Sequence, residues 1–203
     1  MSASQAHLFY ALAWLGFGVV HSGLASARLK DHFTGAPRAA WRLAYNVVAA
    51  AQLGAVWLVG GVVFAGAQAY APEPWAAAVL SALHVAGWAL MVAALRGYDL
   101  GRLAGTRQLR DHWRGINEAE DEPLRLDGLH RFVRHPLYAA GLLILWGRIG
   151  GPFELATAVW GTLYIVIGTA MEERRLARLY GADYTAYRQR VPAYVPWKGR
   201  APY

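Results

Sequence analysis

The stretch PLYAAGLLILWGRIGGPFELATAVWGTLYIVIGTAM, residues 136–171, decides the fold. It is apolar throughout except at Arg148-Ile149-Gly150-Gly151-Pro152 and Glu154. A membrane-crossing helix needs about 20 apolar residues for a hydrocarbon core of about 30 Å. The part before the break, Pro136 to Gly147, would be about 18 Å long as a helix at 1.5 Å per residue, too short to cross by itself. Glycine and proline side by side mark a turn, so the run is expected to form a helical hairpin with a normal-length return helix, Phe153 to Met171.

Outward from this run, three further apolar segments are read as spans: about His7 to Ala27, Leu43 to Tyr70 and Trp75 to Leu95. The expected fold is all-α, an integral membrane bundle of five transmembrane helices, the last two a helical hairpin, with a cytoplasmic C-terminal cap. One domain covers residues 1–203: a three-helix part over about 1–95, then a loop, hairpin and tail over about 96–203. The chain of 203 residues is 56% hydrophobic and 16% charged, against about 25% charged in soluble domains. Disorder is excluded by this balance.

The net charge of +7 is a topology signal. The loop from Arg28 to Arg42 carries four Lys and Arg, the segment from Arg96 to Arg134 eight and the tail after Met171 seven, while the alternate loops carry one. Basic residues are retained on the cytoplasmic side, which sets the N-terminus outside and the C-terminus inside, in a bacterial inner membrane. The first residues, Met1 to Ala6, have no basic region, so the first apolar segment is expected to be retained rather than cleaved. Splitting of the basic residues among three segments excludes a nucleic-acid stripe. With no cysteine, thiolate metal sites, iron–sulfur clusters and a cysteine nucleophile are excluded too.

Ionisable groups at a membrane boundary need partners or water. Two clusters flank the hairpin, Asp127-Gly128-Leu129-His130-Arg131-Phe132-Val133-Arg134-His135-Pro136-Leu137-Tyr138 and Glu172-Glu173-Arg174-Arg175-Leu176. Pro136 suits the first helical position and places His135 at the cap. Exposed backbone N–H groups there, with Arg134, make an anion-receptive corner. Read as the end of a helix, Glu172 and Glu173 run against the helix dipole and call for cationic partners or a ligand. Membrane-boundary anchoring is the bland reading for any one of these arginines.

The pattern Gly128-x5-Arg134-His135-Pro136-x-Tyr138-x-x-Gly141, with Glu172-Glu173-Arg174-Arg175-Leu176, Gly181-Ala182-Asp183-Tyr184 and Val191-Pro192 following in order, resembles the signature of membrane methyltransferases related to isoprenylcysteine carboxyl methyltransferase and phosphatidylethanolamine methyltransferase. The resemblance implies an S-adenosylmethionine site at the cytoplasmic face. It implies cofactor contacts from His135, Pro136, Leu137, Tyr138 and Glu172, with His130 matching the family's aromatic position. Leu124 and Arg125, in the segment from Glu122 to Arg125, fall where the family lays further backbone contacts. Glu173 and Arg134 complete the cofactor-binding set. Chemically, a carboxylate accepts from ribose hydroxyls or an ammonium, and aromatics such as Tyr138 and Trp146 face a sulfonium or an adenine. No metal is required, and no residue is forced into the role of general base.

The acceptor is read as small or lipophilic, a thiol first. Prenylcysteine enzymes carry an arginine four residues before the first Glu, where this chain has Gly168. The segments from Val20 to Ser26 and Arg42 to Asn46 resemble bacterial membrane thiol methyltransferases that act on methanethiol. They also resemble denitrification-associated membrane proteins and a related haem-containing carotene isomerase. A b-type haem held by His21 and His84 is therefore the alternative cofactor, and a non-enzymatic scaffold the third class. The segment around His112 and the acidic run from Glu118 to Glu122 stand either over the cofactor site or in solvent.

Overall fold

The computed structural model describes residues 1–116 and 123–198, and only the backbone of Ala27 and Arg28; the acidic run from Glu118 to Glu122 lies outside the described residues. Every regular element described is helical. In chain order these are α1 Ala3–Leu24, α2 Ala27–Lys30, α3 Gly35–Val63, α4 Pro74–Leu95, α5 Leu100–Ala104, α6 Thr106–Trp113, a 3-10 turn Gly128–Arg131, α7 Pro136–Gly147 and α8 Pro152–Arg190. Among them α1, α3, α4 and α8 are long and apolar enough to cross a membrane, while α7 is apolar but only 12 residues long.

Local sequence explains the starts. Proline opens α4, α7 and α8, where its missing N–H removes no helical hydrogen bond. At α1 the Ser2 hydroxyl accepts the Gln5 N–H at 3.3 Å and the Gln5 side chain accepts the Ser2 N–H at 2.9 Å, a reciprocal cap.

The chain groups into two compact units, which are not its N- and C-terminal halves. Unit one comprises Met1–Ala67 and Tyr98–Asp121. Here α1 packs on α3 through an edge-to-face aromatic series in which Phe64 meets His7 at 5.1 Å and Tyr10 at 5.7 Å. The Asn46 amide donates to the carbonyls of Leu103 and Ala104 at 3.0 Å each, satisfying the end of α5. The helix α3 begins at Gly35 rather than at Leu43, so Arg38 and Arg42 ride on its first turns instead of lying in a loop.

Unit two comprises Gln68–Gly97 and Glu122–Tyr203, and so holds α4, α7 and α8. Its helices α4 and α7 pack backbone to backbone. A Cβ added at Gly147 would lie 2.3 Å from the His84 nitrogen, and one at Gly87 would lie 2.7 Å from the Ile144 nitrogen. Only hydrogen fits there, the close approach through small residues that holds helices together where the hydrophobic effect gives no help. One polar bond reinforces it, from His84 Nδ1 to the Ile144 carbonyl at 3.0 Å. The Tyr70 N–H donates to the Gly150 carbonyl at 2.8 Å, tying the approach to α4 to the turn after α7.

One expectation is corrected. The helix starting after the glycine turn does not stop at Met171; α8 continues to Arg190, with a single break at Gly181 (φ 57°, ψ −124°). Residues 172–180 contain strong helix formers and neither glycine nor proline, so nothing ends the helix before the glycine. Glu172 and Glu173 therefore lie within a helix and not at its C-terminus, and the argument from an opposed dipole fails.

The close approach of α4 and α7 makes a paired test. Gly147→Ala is expected to destabilise the detergent-solubilised protein by about 1–3 kcal/mol, because the added methyl group meets fixed backbone. At Gly141 the nearest neighbour of an added Cβ is the flexible Ile165 Cδ1 at 3.8 Å, so Gly141→Ala is expected to melt at or above the wild-type temperature. Equal melting temperatures for the two variants would refute the contact.

Candidate functional site

The site in unit two is organised by Glu173, 6% exposed. Arg134 reaches its Oε1 with Nε at 2.8 Å and Nη2 at 2.5 Å. His135 Nε2 lies 3.1 Å from the same oxygen, and Arg188 Nε lies 3.3 Å from Oε2. Arg134 Nη1 also donates to the carbonyls of Val191 and Arg188. A buried carboxylate thus joins the approach to α7, the end of α8 and the tail beyond it.

Burial alone pushes the Glu173 carboxyl up. Hydrogen bonds from His135 and Arg134, with the charge of the guanidinium, overcome it and hold the pKa at about 2 against an ordinary 4.5. The Tyr184 phenol is pushed up to about 12, first by burial and then by the Glu173 charge. Burial lowers the His130 imidazole and raises the Tyr194 phenol.

The anion-receptive corner is differently built from the expectation. The N–H groups of Arg134 and His135 donate to the carbonyls of Pro192 and Ala193 at 2.9 and 3.0 Å. The returning tail uses these donors, and Arg134 is turned to Glu173. His135 does occupy the cap position of α7, but its side chain makes no capping bond. Its ring stacks on Tyr138 at 5.4 Å and 15°, and Tyr194 of the tail lies 6.2 Å away.

Glu172 behaves differently from its neighbour. Its side chain is 42% exposed, and its Oε2 lies 3.7 Å from His135 Nδ1. That oxygen is buried and has no hydrogen-bond partner among the described residues, a cost that a bound donor would remove.

Of the residues singled out in the sequence, His135, Tyr138, Glu172, Glu173 and Arg134 come together. Pro136 is fully buried at the start of α7, and Leu137 follows it on the first turn. His130 adjoins them through its Nδ1, 3.1 Å from the Arg134 carbonyl, and its own carbonyl accepts the Tyr187 hydroxyl at 2.6 Å. Leu124 packs against the Tyr184, Tyr187 and Val191 cluster. Arg125 is directed to the Gly97 carbonyl and to Asp127. Trp146 stands eight residues along α7 from Tyr138, about 12 Å, and donates to Thr162 at 2.9 Å; it does not join this cluster.

His84 has both ring nitrogens engaged, Nδ1 by the Ile144 carbonyl and Nε2 by the Trp88 indole at 3.1 Å. His21, in unit one, bonds to the Tyr45 hydroxyl, a partner that sequence reading did not name. His112 is exposed on α6, also in unit one. Among the described residues no group of three or more His, Asp or Glu is gathered as a metal centre.

Arg188 and Tyr194 were not anticipated. Their signal was the spacing of Tyr184, Tyr187 and Val191, three and four apart, which announces a helical face packed on something.

The chain is 33% identical over 127 residues to methanethiol S-methyltransferase 1 of Bradyrhizobium diazoefficiens, covering 62% of this chain and 44% of the relative. The chain resembles methanethiol S-methyltransferases. Methanethiol S-methyltransferase 2 of the same organism is 36% identical over 122 residues, 60% of this chain and 47% of its own length. The chain thus spans about half the length of the methanethiol S-methyltransferases it matches. Nurim of Xenopus laevis is 33% identical over 98 residues, 46% of this chain and 34% of its own. No family model matches, and no solved structure matches. At Gly168 an added Cβ would meet nothing within 4 Å, and the prenylcysteine enzymes' arginine has no counterpart there.

The Glu173 cluster has a definite pH signature. Because its folded pKa is lowered from 4.5 to about 2, its contribution to stability is complete above pH 4.5 and declines as pH falls toward 2. Glu173→Gln is expected to flatten this part of the acid-melting curve. At neutral pH it is expected to cost about 3–5 kcal/mol, since Arg134 is left buried beside an uncharged partner. Acid melting unchanged by the substitution would refute the assignment.

Proposed function

We propose that the chain is an S-adenosylmethionine-dependent membrane methyltransferase acting on a small or lipophilic thiol at the cytoplasmic face. On this reading α7 and α8 form a helical hairpin in a five-crossing, single-domain bundle, with the N-terminus outside and the C-terminus in the cytoplasm of a bacterial inner membrane. The observation that carries it is the buried Glu172 oxygen, without a hydrogen-bond partner among the described residues, beside the stacked rings of His135 and Tyr138. The similarity to methanethiol S-methyltransferases supports the thiol.

The residues fit the group. Glu172 Oε2 is an acceptor awaiting a hydroxyl or ammonium donor, and Tyr138 offers an aromatic face to a sulfonium. His135, Pro136 and Leu137 line the same start of α7. Arg134 and Glu173 position this wall, while Leu124 and His130 brace it from behind. Bound there, S-adenosylmethionine supplies an activated methyl group on a cationic sulfur. The chain's own part is to hold that sulfur in line with the acceptor and to keep the site dry, because transfer to an anionic nucleophile neutralises charge.

Calorimetry with S-adenosylhomocysteine tests the site. Glu172→Gln is expected to weaken binding about 10- to 100-fold, the worth of a hydrogen bond to a charged group, with the melting temperature kept. Binding within twofold of wild type would exclude Glu172 from the site. In parallel, labelled methyl groups are expected to appear on methanethiol-sized thiols in preference to prenylcysteine carboxylates or phospholipid amines.

A further inference from the structure

The tautomer of His135 follows from its neighbours. With a pKa of about 2, Glu173 is ionised at neutral pH, so its oxygens only accept. His135 Nε2, 3.1 Å from Oε1, therefore carries a hydrogen, and in the neutral form of the ring the lone pair is on Nδ1. Nδ1 faces Glu172 Oε2 at 3.7 Å, beyond hydrogen-bond length. In that form two acceptors face each other with no proton between them, and Oε2 itself is buried.

From this arrangement we infer that His135 Nδ1 is the proton acceptor of the reaction, taking the S–H proton of the thiol and discharging it through Glu172. The inference rests on the methyltransferase reading above. The thiol S–H bond breaks and its proton goes to Nδ1. The sulfur lone pair then forms the new S–C bond, and the electron pair of the broken methyl–sulfonium bond stays on the departing sulfur as a neutral thioether. The imidazolium so formed lies between two carboxylates, Glu173 at Nε2 and Glu172 at Nδ1. Glu172, with its side chain 42% exposed, connects the buried ring to solvent.

The other charged and titratable groups of the cluster fit this assignment. From α8, Tyr184 stays a neutral phenol with its pKa near 12, and Arg188 is paired to Glu173. Beside His135, Arg134 is paired to Glu173 as well. Tyr138 fixes the ring plane from α7 and Tyr194 closes over it from the tail. His130, in the 3-10 turn, has its imidazole lowered by burial. An ordinary thiol is only a few per cent ionised at neutral pH, so an internal acceptor has work to do with alkyl thiols and none with a thiol that arrives as thiolate.

That contrast is the test, on the full-length protein in detergent. With an alkyl thiol, His135→Gln is expected to lower kcat about 100- to 1000-fold, the range of a lost general base. With an aryl thiol already ionised at neutral pH, the expected loss is under about tenfold. Equal losses with both thiols would overturn the assignment and leave a purely positioning role, with the methyltransferase reading intact. Failure of wild type to methylate any thiol would overturn both, and shows in the control without any variant. Nitrogen-15 NMR of selectively histidine-labelled wild type supplies a readout independent of turnover. In the neutral ring it should show the hydrogen on Nε2 and the lone pair on Nδ1; the opposite tautomer overturns the proposal.

Discussion

A carboxylate taken out of water must be compensated where it stands, and Glu173 is that constraint here. At 6% exposure its solvation is lost, a penalty of several kcal/mol even after relaxation. Arg134, His135 and Arg188 repay it from three parts of the chain: the entrance to α7, its cap, and the end of α8. Each partner is then fixed in turn. Arg134 reaches the carbonyls of Arg188 and Val191, and the tail answers through Pro192 and Ala193 to the backbone of Arg134 and His135. Without the charge at Glu173, the tail loses the hub on which these bonds converge.

The same unit solves a second problem with no charge at all. A helix of 12 residues buries little surface, so α7 needs a neighbour at close range. Gly87 and Gly147 let the backbones of α4 and α7 touch. His84 converts the contact into a specific register by donating to the Ile144 carbonyl. The polar cluster at one end of α7 and the glycine contact along its length thus act on one short helix from different directions, and its first turn carries the His-Pro-x-Tyr motif.

Much of this was legible because proline and glycine punctuate strongly. The bounds of α7 coincide with those read from residues 136–147, and α8 opens one residue earlier than expected, at Pro152. The far end of α8 is hidden in the sequence because falling hydropathy after Met171 looks like the end of a helix. Hydropathy reports the solvent, whereas helix continuation depends on backbone propensity, and Glu-Glu-Arg-Arg-Leu-Ala-Arg-Leu is made of strong helix formers. The start of α3 was missed for the same reason, since Arg38 and Arg42 end the apolar run without ending the helix. The glycine contact was illegible, because a glycine in an apolar run does not disclose which helix will lie against it.

Pairing of the acids was the subtler failure. A motif presents Glu172 and Glu173 as one unit, yet consecutive residues of an α-helix, at 3.6 per turn, point about 100° apart. One of two adjacent side chains can therefore face the interior while the other faces a cleft. Here Glu173 is consumed by Arg134, His135 and Arg188, whereas Glu172 keeps an oxygen without a hydrogen-bond partner among the described residues. The two acids are chemically identical and adjacent. Their environments alone divide the work, one carboxylate holding the imidazole in place so that the other can face whatever arrives.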